Sequence, residues 1–63
     1  MNWISVKDRL PEKGQYIIVW ENQYETWASA FFVSDSFNSS EDYTTITDVT
    51  HWAIVEPPEE FKQ

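Results

Sequence analysis

Val49-Thr50-His51-Trp52-Ala53-Ile54-Val55, followed at once by Glu56-Pro57-Pro58, is the stretch on which the fold turns. From Val49 to Val55 the residues are β-branched, aromatic or small, apart from one histidine. That composition suits a pleated, half-buried surface. Strand alternation puts Thr50, Trp52 and Ile54 on one face and Val49, His51, Ala53 and Val55 on the other. Both faces carry apolar residues, so the stretch reads as an inner or well-covered strand. Pro57 and Pro58 have no N–H to offer a ladder, and pairing is expected to stop by Glu56.

The second strand signal is Gln15-Tyr16-Ile17-Ile18-Val19-Trp20, again apolar on both faces. Glu21-Asn22-Gln23 reads as a short hairpin loop, because Asn tolerates positive φ. Tyr24 to Val33 is then the return strand, with Trp20 facing Tyr24, Ile18 facing Thr26 and Ile17 facing Trp27. Upstream, Trp3, Ile4 and Val6 form a short anchoring segment. Ser5 and Asp8 are spaced as a capping box, which predicts one helical turn over 6–10, ended by Pro11. Gly14, the only glycine, marks a turn. Ser34 to Thr45 holds four serines with Asp35, Glu41 and Asp42 and reads as a long polar loop. Its one large apolar residue, Phe37, either pins the loop to the core or offers a contact to a partner. The expected fold is α+β, mostly β: a small three-stranded antiparallel meander with a short N-terminal helical turn and one long polar loop. Residues 1–63 make a single small domain, with an acidic, proline-bearing tail over 56–63.

A core of this size is marginal. Eleven aromatic residues, burying about 200 Å² each at about 25 cal/mol/Å², stabilise by at most roughly 55 kcal/mol. Eleven Ile, Val and Leu residues add roughly 22 kcal/mol. Ordering about 50 residues costs roughly 75 kcal/mol, so the balance is near zero. Nearly every aromatic is needed inside unless a partner or a second copy covers some of them, which makes the chain a homodimer candidate.

The net charge is −7 and it is unevenly placed. Lys7, Arg9 and Lys13 lie near the start and Lys62 at the tail. From Gly14 to Phe61 there are nine acidic residues and no Lys or Arg. Such a surface repels nucleic acid and anionic membrane and attracts basic protein surfaces, although charge of this size also serves solubility. With no cysteine, disulfides and zinc–thiolate sites are excluded and a reducing compartment is allowed. The N-terminus lacks the basic-then-apolar pattern of a signal peptide. The longest uncharged run, Thr26 to Ser34, is nine residues, far short of a membrane span.

Little in the sequence points to catalysis. His51 is the only histidine, and Asp48, three residues away, falls on the opposite face of a strand. His51 reads as a structural donor to a carbonyl or carboxylate; an enzyme built on it would need a partner subunit to complete its site. One histidine cannot make a zinc site, no carboxylates have calcium-loop spacing, and one glycine rules out phosphate and dinucleotide loops. No cofactor or metal is expected. Trp3, Trp20, Trp27 and Trp52 could stack bases or sugars, but without nearby basic charge they read as core.

The opening Trp3-Ile4-Ser5-Val6 with Arg9-Leu10-Pro11-Glu12, the strand Tyr16-Ile17-Ile18-Val19, and the closing Val49-Thr50-His51-Trp52 with Glu56-Pro57-Pro58 resemble the domain of unknown function 551, a family of bacteriophages, prophages and bacteria. Where the family continues the closing motif with Met-Pro-Leu-Pro, this chain has Ala53-Ile54-Val55-Glu56. The resemblance implies a phage-type origin and a small cytoplasmic domain, not a reaction. Together with the acidity, the expectation is a non-enzymatic interaction protein that binds and inhibits or redirects a host protein with a basic, nucleic-acid-binding type of surface. Its sharp version is a DNA mimic acting on a nuclease, restriction or CRISPR-type complex. The expected contact residues are Glu21, Glu25, Asp35, Phe37, Glu41, Asp42 and Asp48. The alternative is a structural or self-associating module whose acidity serves only solubility.

Overall fold

The computed structural model describes residues 2–55. They form one antiparallel sheet of six strands: β1 (Ile4–Ser5), β2 (Tyr16–Glu21), β3 (Thr26–Val33), β4 (Ser36–Ser39), β5 (Thr45–Ile46) and β6 (Val49–Ile54). The spatial order is β1-β6-β2-β3-β4-β5. This corrects the α+β expectation. There is no helix among the described residues, and there are six strands rather than three. Ser5 does start a turn, with its carbonyl accepting from the N–H groups of Asp8 and Arg9 and its Oγ from that of Lys7. The turn does not propagate, because Pro11 follows too closely for a second one.

The expected long loop is mostly strand. Val33 pairs with Ser36 across the two residues Ser34-Asp35, both at positive φ (54° and 59°). Two such residues in succession match the right-handed twist of a hairpin. Asn38 braces this turn by donating from Nδ2 to the carbonyls of Val33 and Ser36. Phe37 is buried and stacks on Phe32 at 5.0 Å, so it packs the core and is not an outward contact.

The register of β2 on β3 also differs from expectation: Trp20 pairs Trp27, Ile18 pairs Ser29 and Ile17 pairs Ala30. The connecting loop holds four residues, 22–25, with Glu25 at φ 50°. The slip from the expected pairing is an odd number of residues, which turns the other set of β3 side chains toward the core. β6 is an inner strand, as the opening stretch implies. It is flanked by β1 and β2. A bulge opposite Trp20/Glu21 lets Glu21 pair with Val49 and leaves Thr50 unpaired in the β2 ladder. The acidic tail over 56–63 lies outside the described residues.

Only two residues, Thr47 and Asp48, link β5 to β6, yet three strands separate them in the sheet. Across a flat sheet that gap is about 19 Å, while three peptide units reach at most about 11 Å. The sheet must therefore curl. Its concave face buries Ile17, Val19, Ala30, Phe32, Phe37 and Trp52, with Ile4, Val6, Ala28, Ile46 and Val49 packed around them. The segment after β1 crosses this face. Trp52 Nε1 donates to the Arg9 carbonyl at 2.8 Å, the Arg9 guanidinium lies 5.5 Å from the Trp52 ring centroid, and Pro11 is buried.

Candidate functional site

The curl brings the end of β2, the start of β3, the β4–β5 hairpin and the start of β6 around one opening. Each element is held there by backbone bonds. Asn22 N–H donates to the Asp48 carbonyl at 2.9 Å, which ties the β2–β3 loop to the entry of β6. Ser40 N–H donates to the Ser29 carbonyl at 3.1 Å, and the Ser29 and Ser40 hydroxyls bond to each other. The β4–β5 turn is closed by Ser39 N–H to the Thr44 carbonyl and Tyr43 N–H to the Ser39 carbonyl, with Tyr43 at φ 62°. Glu41 N–H donates to Ser39 Oγ. Asp42 Oδ1 accepts from both Thr44 N–H and Thr44 Oγ1, at 3.1 and 2.7 Å. These two bonds, the hydroxyl's foremost, hold the Asp42 carboxyl below the ordinary aspartate value.

The result is a cleft of about 580 Å³ whose walls include Glu21, Glu41, Asp42 and Asp48 together with Tyr24 and Trp27. Glu21 is the only Asp, Glu, Lys or Arg on any of the six strands; the other carboxylates come from loops. Tyr24 and Trp27 are 68 and 60 % exposed, so their ring faces are open to a ligand. Chemically the cleft offers carboxylate acceptors, hydroxyls and aromatic faces, and no cationic side chain lines it. That combination suits a guanidinium or ammonium group, which pairs with carboxylates and stacks on aromatic faces.

Of the seven expected contact residues, the structure gathers four: Glu21, Glu41, Asp42 and Asp48. Glu25 sits in the neighbouring loop and is not part of the wall. Asp35 lies in the β3–β4 turn, at the other end of β4 from the cleft-lining Ser39, about 13 Å away at about 3.3 Å per residue. Phe37 is in the core. Tyr24 and Trp27 were not expected there. The place of Trp27 depends on the register of β3 against β2 and that of Tyr24 on the length of the loop before β3, and neither is readable from the sequence.

His51 is exposed, and its Nδ1 lies 3.0 Å from Thr50 Oγ1 rather than against a carbonyl or carboxylate. It borders a shallow hollow with Trp3 and Trp20. Among the described residues no three His, Asp or Glu side chains are grouped to hold a metal ion. No helix among them is long and apolar enough to cross a membrane.

A family-profile comparison matches residues 2–59 to the family described as protein of unknown function DUF551. The chain belongs to this family. No curated protein and no solved structure matches it. Membership in DUF551 assigns no reaction, substrate or partner.

Proposed function

We propose that this DUF551 protein is a non-enzymatic binding module of phage-type origin, working in the bacterial cytoplasm, that docks a basic segment of a host protein into the acidic, aromatic mouth of its sheet. The observation that carries this reading is the convergence of four carboxylates and two exposed aromatic rings on one cleft. Loop acids of a soluble surface are normally scattered. Here Glu21 comes from the end of β2, Glu41 and Asp42 from the β4–β5 turn and Asp48 from the β5–β6 link, and all four border the same volume as Tyr24 and Trp27. An arginine side chain satisfies both halves of such a site, with its charge on the carboxylates and its plane on a ring. If the host protein binds nucleic acid, the carboxylates occupy the place of phosphates and the protein acts as a DNA mimic.

The test is titration of hexa-arginine and hexa-lysine peptides into the full chain at about 50 and about 500 mM salt, where Debye screening differs severalfold. The expected outcome is saturable binding that favours arginine and weakens with salt. It is lost in the variant with Glu21, Glu41, Asp42 and Asp48 all changed to lysine. The single change Trp27→Ala should erase the preference for arginine over lysine. Equal binding by the four-lysine variant at low salt would sink the proposal.

A further inference from the structure

We infer that the outer, convex face of the sheet is the interface of a homodimer. Cross-strand pairing places Tyr16, Ile18 and Trp20 of β2, Trp27, Ser29, Phe31 and Val33 of β3, and His51 and Ala53 of β6 on this face. Asn38 and Thr45 extend it over β4 and β5, and Ser5 over β1. No strand position on it is Asp, Glu, Lys or Arg. Trp3 lies edge-on to Trp20 at 6.3 Å and Tyr16 packs on Phe31 at 5.1 Å, so the face carries one ring pair toward each end of β2, with Ile18 between them.

Charge selects the occupant. The chain carries a net −7, and among the described residues the charged ones lie in loops and connecting segments, with Glu21 as the one strand exception. Two copies repel wherever those rims meet. The convex face is where they can approach without opposing carboxylates, and an isologous contact needs only that a patch suit itself. A basic partner, by contrast, gains nothing from an uncharged face; it has the cleft, which meets this face at Trp27, so pairing and peptide binding compete for that ring. Pairing through sheet edges is poorly served, because both edge strands, β1 and β5, are two residues long.

Burial points the same way. Half of the ten aromatic residues in the described part are exposed: Trp3, Tyr16, Tyr24, Trp27 and Tyr43. A chain of this size needs nearly all of them covered. Trp3, Tyr16 and Trp27 are 41, 44 and 60 % exposed. At about 200 Å² per ring they alone leave roughly 300 Å² open. With Trp20, Phe31 and Val33 the face offers about 500 Å² per copy, or about 1,000 Å² for the pair, at the lower limit for a specific interface. The dimer is accordingly weak, with a Kd of roughly micromolar order.

Sedimentation equilibrium of the full chain over about 1 to about 500 μM, a range bracketing that constant, should show a reversible monomer–dimer equilibrium. Tyr16→Glu and Val33→Glu should raise the Kd at least tenfold, and Tyr16→Ser should shift it in the same direction by less. Neither position lines the acidic cleft, so these variants should keep hexa-arginine binding, and the four-lysine cleft variant should still dimerise. Ile54→Glu changes a residue equally exposed, at 44 %, but on the opposite face of the sheet, and should leave the Kd unchanged. Circular dichroism and melting of each variant separate loss of pairing from loss of fold. A monomer at every concentration overturns the inference and leaves the face to residues 56–63 or to another protein. A dimer weakened by Ile54→Glu as much as by Tyr16→Glu overturns it too.

Discussion

Asp42 shows how a single side chain builds the cleft. Its carboxylate holds the β4–β5 turn through two bonds from Thr44, and those bonds need the charged form. They depress its pKa from the ordinary 3.8, the Thr44 hydroxyl contributing most. Because the folded value is the lower one, this group's stabilisation is fully present above the ordinary value and is lost as pH falls through the folded value. Side-chain carboxyl NMR should show Asp42 titrating below the ordinary aspartate value, and Thr44→Val should bring it back up. An Asp42 that titrates at or above the ordinary aspartate value in the native protein would contradict the bonding. Trp52 is the counterpart in the core. Its ring is buried, its Nε1 is satisfied by the Arg9 carbonyl, and it thereby fastens the N-terminal segment over the concave face.

Among the elements, β4, which pairs with β3 across Ser34-Asp35 and with β5 on its other side, is the one the sequence conceals. Ser34-Asp35 is not one of the Asn-Gly or Asp-Gly pairs that announce a tight hairpin, and the polar run around it reads as loop. What turns it into strand is Phe37, which pairs with Phe32 on one side and Ile46 on the other. Phe37→Leu should cost about 1–2 kcal/mol, well below the 3–5 of a truncation to Ala. The loss should be local. Hydrogen exchange of the Ser39 and Ser40 amides, which bond to the Thr44 and Ser29 carbonyls, should accelerate more than that of the β2–β6 ladder. Uniform acceleration across the sheet would mean that the hairpin is not a separable unit.

For the molecule as a whole, the dominant tension is between a small core and a net charge of −7. The curl gathers acids from the end of β2, the β4–β5 turn and the β5–β6 link into one mouth, which concentrates the repulsion there. Raising salt from about 50 to about 500 mM shortens the Debye length severalfold, so the urea midpoint should rise. The four-lysine cleft variant should show a smaller rise or none. A midpoint that falls with salt in the native protein would place the stabilising electrostatics elsewhere, in attractive pairs rather than in relieved repulsion.

Local sequence specified what depends on neighbours along the chain. The strands around Ile17–Val19 and Val49–Ile54, the inner position of β6 and the turn at Gly14 could all be read from residue type and alternation; of the seven contact residues expected, four border the cleft, and their convergence could not be read. Pairing between distant strands could not. Both faces of β2 and β6 are apolar, so alternation alone could not choose which face turns inward, and an odd-residue slip against β3 was equally well patterned. The two-residue link from β5 to β6 mattered in the same way. It looks like an ordinary bend in sequence, and it forces the curl only because three strands lie between its ends. The exposure of Trp27 and Tyr16, the burial of Phe37, and the meeting of Glu21 with Asp48 follow from that closure, a property of long-range contacts that no short window of residues contains.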